Sequence, residues 1–437
     1  GGAGIPGAAN LVIFDGGTTG TLDANCTLAT NINVLGIELR NGYDGQVQPG
    51  ALTVTVGTNG FTMAGGTWAA GTNTMTVNGP YIQSAGTFNA TSSTLNFTDN
   101  FTRSAGTFSA ASATIIFSGA TQAISPGGAT LTTVSFAGTD TKTLSTNATF
   151  TTMSISSTLV LGNGLTMTGA TNSTTTVTGI LEMQENSTLT LGNNSTISVS
   201  GGGRLRTRGS DAAAAVTAAT IQSSSTGVNK WSMNVANNAT LSARGARFID
   251  GVISCAAAPA GFALGDCVFS ALPTGMGNAF VDLSGVTTGY LELRGLNFYR
   301  GSAVARTLAR NIKATAATQN ATVGGYGGDL GGELFDADDS NRIRWVNNRA
   351  GMTIDGTPGA WVDPLWLYRK KITVSNATNT ATHTDYPVLV TTDTTLPIAL
   401  GRMHAAGNDI RFTAADGTTQ LSYWIESGIN TAPTLIW

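Results

Sequence analysis

The sequence predicts an all-β protein: a parallel β-helix (β-solenoid) of about 20 residues per coil, followed by a small antiparallel β-sandwich domain. Three observations lead there. Chemically similar residues recur every twenty positions without an insertion. Short strands alternate apolar and polar side chains between corners rich in glycine and asparagine. Charge is scarce, at 11% of the 437 residues against roughly 25% in an average chain, while glycine fills 56 positions. Apolar residues still reach 41%, enough to bury a core and to argue against disorder.

Residues 1–10 read as an N-terminal arm of small residues. The start on Gly rather than Met fits a processed product or an excerpt of something longer. The β-helix then spans 11–348, opening with Leu11-Val12-Ile13-Phe14. Its register is plainest in Gly66-Thr67-Trp68, Gly86-Thr87-Phe88 and Gly106-Thr107-Phe108, each preceded by an aromatic: Phe61, Tyr81, Phe101. Behind each triplet lies an alternating strand: Thr74 to Val77, Thr94 to Phe97, Thr114 to Phe117.

Alternation places Met75, Leu95 and Ile115, with Val77, Phe97 and Phe117, on one face and the threonines on the other. A twenty-residue unit is too small to enclose a core alone. Stacked in parallel at ~4.8 Å, such units put equivalent residues above one another, so the aromatics become ladders. Asn41-Gly42, Asn59-Gly60, Asn78-Gly79 and Asn163-Gly164 supply corners of positive φ. An antiparallel sandwich also alternates, but it does not require a register fixed over three units. Downstream, leucines precede phenylalanines at Leu241 and Phe248, Leu264 and Phe269, Leu293 and Phe298. From Leu11 to Trp345 this makes about 16 coils, a rod on the order of 80 Å long.

Residues 349–364 are a linker with Gly351, Gly356, Pro358, Gly359 and Pro364. Charge then returns: eleven of the 75 residues from Asp363 are charged, against nine of the first 142. Residues 365–437 carry alternating segments at Tyr368 to Val374, Tyr386 to Val390, Asp409 to Phe412 and Leu421 to Glu426, which predict a β-sandwich-like, incomplete domain.

Ile5 to Asp15, the Gly-Thr-Phe coils and the stretch from Gly331 to Trp345 together resemble the β-helical repeat regions of very large bacterial surface and adhesin-like proteins. Tyr368 to Thr373, Asp385 to Val390, Asn408 to Thr413 and Ala415 to Leu421 are similar to a domain of unknown function that recurs in such proteins, often beside concanavalin-like lectin modules. A glutamate often stands in that family where this chain has Trp424. The resemblance implies a secreted, extracellular or cell-surface location.

Composition narrows the chemistry. A net charge of −3 offers no basic field for nucleic acid or an anionic membrane. No run approaches the ~18 apolar residues of a membrane helix, Ala212 to Ile221 being the nearest. Two histidines and five lysines leave little material for acid–base work. Glycoside hydrolysis needs paired carboxylates. Asp250, Asp266 and Asp282 are the nearest candidates, but their sixteen-residue spacing misses the coil period and favours corner aspartates. Asp336, Asp338 and Asp339 cluster oxygens that Ca²⁺ uses, without the glycine and distal glutamate of an EF-hand loop. Arg204, Arg206 and Arg208 alternate onto one face, either solvated or contacting an acidic polymer or a neighbouring subunit. Cys255 and Cys267 are close enough in sequence to bridge, although small buried thiols suit them, like Cys26, better. Asn-x-Ser/Thr triplets at Asn89, Asn96, Asn100, Asn147 and Asn238 follow from composition.

No catalytic residue, cofactor or metal is therefore assigned, and the expectation is a protein that is not an enzyme. It is read as a structural subunit of an extracellular bacterial filament, fibre or sheath, self-associating head to tail into a homopolymer. An arm from Gly1 to Phe14 of the next subunit would complete the sandwich by strand addition. Extracellular polysaccharide is a second partner. The alternatives are a carbohydrate-binding adhesin stalk, with Trp361, Trp366 and Trp424 as sugar contacts, and, third, a polysaccharide lyase or hydrolase.

Overall fold

The computed structural model describes residues 4–17, 23–209, 217–226, 228–272, 279–299, 310–315, 320–338, 342–348, 372, 374, 386–395, 398, 403–414 and 419–437. The chain divides into two units, Gly1–Ala350 and Gly351–Trp437. The first is a parallel β-solenoid of about 14 turns with roughly 22 residues per turn. The solenoid with coils of about 20 residues is the expected one; the turns are fewer than the expected 16, because the twenty-residue register holds around residues 74–117 whereas later pairings such as Leu205 with Leu241 are wider.

The anticipated faces are the observed ones. Met75, Leu95, Ile115, Val77, Phe97 and Phe117 are all buried. Thr74 and Thr94 are exposed. One core column runs in unbroken register through Ile37, Phe61, Tyr81, Phe101, Ile124, Leu144, Leu161 and Met183. It continues through Thr207, Ala243, Leu264, Leu293 and Val323 to Trp345. Leu241 does not join it. Ala243 fills that place, and Leu241 stands in the neighbouring column beside Phe262. Phe248, Phe269 and Phe298 do stack, with ring centroids 5.0 and 5.1 Å apart.

Val47, Trp68, Phe88 and Phe108 line a third side in a separate five-stranded parallel sheet that ends at Thr107–Ser109. Beyond it, long bent strands such as Ala148–Ile155 carry two sides within the main 31-stranded sheet.

Corners are built two ways. Gly60 has φ +75°, and a Cβ there would overlap the carbonyl oxygen of Pro80. Gly79, expected at positive φ, lacks it; it is needed for space, because a Cβ would overlap the Thr58 carbonyl. The second device is asparagine. Asn25, Asn31, Asn100, Asn147, Asn193 and Asn237 each accept, through Oδ1, a backbone N–H of the following coil. Each bond satisfies an amide that the change of direction takes out of the strand ladder.

Leu11–Phe14 pairs in parallel with Gly36 to Leu39 of the same chain. Asn10 O accepts from Leu35 N, while Val12 and Phe14 pack on the core. Leu11–Phe14 is thus engaged in its own solenoid, and residues 1–3 lie outside the described residues.

In the second unit, Val390–Thr392, Thr434–Ile436 and Ile425–Ser427 form a three-stranded antiparallel sheet with Thr434–Ile436 at its centre. Phe412–Thr413 pairs with Gln420–Leu421. The linker 349–364, and most of the strand expected from Tyr368 to Val374, lie outside the described residues.

Candidate functional site

Outward positions on the strands Ile180–Met183 and Arg204–Arg208 hold a charge cluster that includes the three arginines singled out in the sequence. Leu205 and Thr207 point inward, leaving Arg204, Arg206 and Arg208 outside. Sequence reading left the arginines' partner open. The structure supplies one within the chain. Glu182, in direct register with Arg206, sits between Arg206 Nη2 at 3.2 Å and Arg208 Nε at 2.9 Å. Glu182 is itself buried, so the pair of guanidinium groups offsets the loss of its hydration. Further along the face, Arg294 Nε meets Glu292 Oε1 at 3.2 Å, and Tyr290 donates its hydroxyl to the same carboxylate.

The three candidate carboxylates have separate roles. Asp250 (φ +61°) and Asp266 (φ +51°) occupy left-handed corners, which short polar residues tolerate. Asp250 is buried and accepts from Ser223 Oγ at 2.5 Å. The Asp266 carboxylate occupies the space where Gly295 would carry a Cβ. Asp282 stands on a strand, pairs with Lys313 Nζ at 3.4 Å and accepts from Ser284 N. Each is thereby committed to its own corner or coil neighbour.

Asp336 and Asp338 lie at the last coil; Asp339 lies outside the described residues. Asp336 accepts from the Trp345 indole at 2.6 Å, and Asp338 accepts from Ile343 N at 2.7 Å. Both carboxylates therefore brace the closing strand. Burial, opposed by the Trp345 hydrogen bond and reinforced by Asp338 and Glu333, pushes the Asp336 carboxyl up to about 6. Among the described residues no group of three or more His, Cys, Asp or Glu side chains is placed to hold a metal ion.

Cys26, Cys255 and Cys267 are free thiols. Burial pushes Cys255 and Cys267 up to about 12, far from the thiolate that nucleophilic chemistry needs. Trp424 is 62% exposed in the second unit; Trp361 and Trp366 lie outside the described residues.

Sequence reasoning missed a set of buried polar side chains. Lys142 points into the solenoid and donates to the carbonyls of Gly119, Ala120 and Thr139 at 2.6–2.8 Å. Burial lowers its pKa, with Asp140 opposing. One coil earlier, Gln122 bonds the carbonyls of Phe97 and Asp99. Asn311 does the same for Leu330 and Gly332. The alternation did hold a signal: Lys142 occupies a position whose coil neighbour Leu159 is a core residue.

With this geometry in hand, comparison with known proteins adds one finding. Residues 406–437 match the family described as Domain of unknown function (DUF2341). That span takes in Asn408 to Thr413 and Ala415 to Leu421, whereas Tyr368 to Thr373 and Asp385 to Val390 precede it. No curated protein and no solved structure matches the chain. Among the described residues, no helix is long and apolar enough to cross a membrane.

Proposed function

We propose that this chain is a non-enzymatic structural element of an extracellular bacterial filament, fibre or sheath. The observation that carries the reading is the single core column from Ile37 to Trp345, in which each coil serves as the template for the next. A solenoid of this kind grows by adding backbone to its terminal coils, and a strand edge is a template for such addition. Leu11–Phe14 hydrogen-bonds to Gly36 to Leu39 along one edge, and Ile13 is 41% exposed beside it. A coil from another copy joins there, giving head-to-tail association into a homopolymer. Solenoids with a polar, weakly charged exterior and a domain of the DUF2341 type suit a surface or structural role.

Electron microscopy of the purified chain, with mass measured by light scattering across a concentration series, tests the reading. End-to-end polymers are expected. A monodisperse monomer at every concentration overturns it.

A second reading, a carbohydrate-binding adhesin stalk, is favoured by the exposed Trp424 ring. It predicts glycan-array signals that Trp424→Ala abolishes, without self-association.

A further inference from the structure

We propose that Asn163 is a site of spontaneous covalent modification, converting to aspartate and isoaspartate, and that the fold directs this chemistry to one of four identical dipeptides. The inference holds whether or not the solenoid polymerises.

The four are Asn41-Gly42, Asn59-Gly60, Asn78-Gly79 and Asn163-Gly164. In each, the glycine nitrogen can attack the asparagine Cγ, because glycine has no side chain to obstruct the approach. The new C–N bond closes a five-membered imide. The Cγ–Nδ2 bond breaks, and that nitrogen leaves as ammonia with the proton given up by the attacking amide. Water then opens the ring. Cleavage at Cγ restores the main chain and leaves aspartate; cleavage at the main-chain carbonyl leaves isoaspartate, with the chain routed through Cγ. The sum is amide plus water to carboxylic acid plus ammonia, with no oxidant or reductant. Ring closure needs an accessible glycine nitrogen and a backbone able to rotate around it.

The structure withholds both from two of the four. Gly60 is buried within the strand Val54–Met63, in register with Gly36, and packs against the Pro80 carbonyl. Gly79 is buried against the Thr58 carbonyl. Asn41 and Asn163 stand elsewhere, each exposed together with its glycine. Each is second in a four-residue turn, Arg40 to Tyr43 and Gly162 to Leu165, closed by one backbone hydrogen bond of 3.2 and 3.3 Å. The glycines take the positive φ that the third place requires, +102° and +73°. Their neighbours separate the two turns. Gly16 packs so closely on Gly42 that a Cβ on Gly16 would overlap the Gly42 carbonyl. Around Gly164 the nearest atom to an added Cβ is Asn186 Nδ2, at 3.7 Å.

The side chain gives an independent observation. Asn25, Asn31, Asn100, Asn147, Asn193 and Asn237 each commit Oδ1 to a backbone amide of the next coil, which holds the carboxamide away from its own chain. Among the described residues no hydrogen bond engages the Asn163 carboxamide, so it can swing onto Gly164. The product has a consequence for the stack. The next coil repeats the turn at Gln184 to Ser187, where Glu185 takes the place of Asn163. Either product therefore sets a new carboxylate beside a like charge.

The test incubates the full chain in mildly alkaline buffer and follows each asparagine by peptide mass spectrometry, counting isoaspartate by enzymatic methylation. Asn163 is expected to convert first and Asn41 next. Asn59 and Asn78 should be about tenfold slower than Asn163 or slower still, because they react only after local opening. In urea the four rates should converge. Asn163→Gln, whose ring would need six members, should remove the leading isoaspartate signal. The proposal is overturned if Asn41, Asn59 or Asn78 converts as fast as Asn163 in the folded chain, if Asn163 keeps its amide while the unfolded chain loses it, or if the glutamine variant accumulates as much isoaspartate.

Discussion

The ring of Tyr81 lies 4.5 Å from that of Phe101, centroid to centroid, with the planes 4° apart. The two are twenty residues apart in sequence and direct partners in register. Phe61 stacks on the other face of Tyr81 at 5.5 Å, so the column is continuous through three coils. Phe88 and Phe108 meet Tyr81 edge-on, which joins two columns across the interior.

Phe101→Ala should therefore be among the most damaging single changes. It empties a fully buried site between two stacked coils and should lower the unfolding free energy by about 3–5 kcal/mol. Ile82→Ala, next to Tyr81 but facing outward, should cost far less. Urea unfolding of both variants provides the comparison; equal destabilisation would contradict the assignment of faces.

Lys142 makes a different prediction. Lys142→Met keeps the length of the side chain and removes the only group donating from that position to Gly119, Ala120 and Thr139. Leaving those carbonyls without the ammonium should cost about 3 kcal/mol in the same assay. An unchanged midpoint would show that water replaces it.

Asp336 links stability of the last coil to pH. Its folded carboxyl is raised to about 6 from an ordinary 3.8, so between these values the folded state holds the proton more often than the unfolded state. Its contribution is full below pH 3.8 and is lost as pH rises through 6. Asp336→Asn should flatten the decline in melting temperature between pH 4 and 6.5, and the Trp345 indole N–H resonance should shift with a midpoint near 6. A midpoint near 4 would refute the burial argument.

Thiol accessibility gives the fourth test. In the native protein Cys26, half-buried, should react with a chromogenic disulfide reagent well before the buried Cys255 and Cys267. All three should react after denaturation without reductant. Fewer than three free thiols would mean a bridge.

Ladders were legible in the sequence because a parallel stack repeats its side chains in register: Phe61, Tyr81 and Phe101 announce their own contact. The fold class, the inward faces and the small antiparallel sheets of the second unit follow from the same logic. The reading failed where coil length varied. Leu241 looked equivalent to Leu264 by its distance from a phenylalanine, yet Ala243 holds that place because the strand register, not the sequence interval, sets the column.

Alternation and a twenty-residue period, by themselves, determined that this chain stacks parallel coils with aromatics inside and threonines outside. Only the tertiary structure decided which charges meet. Glu182 and Arg208 are 26 residues apart, an interval with no meaning until coils of unequal length are laid side by side. The same holds for Lys142, whose charge is tolerable inside the solenoid because three corner carbonyls converge on it. Local periodicity is written in each coil, whereas pairing between coils depends on the summed lengths of all the turns between them.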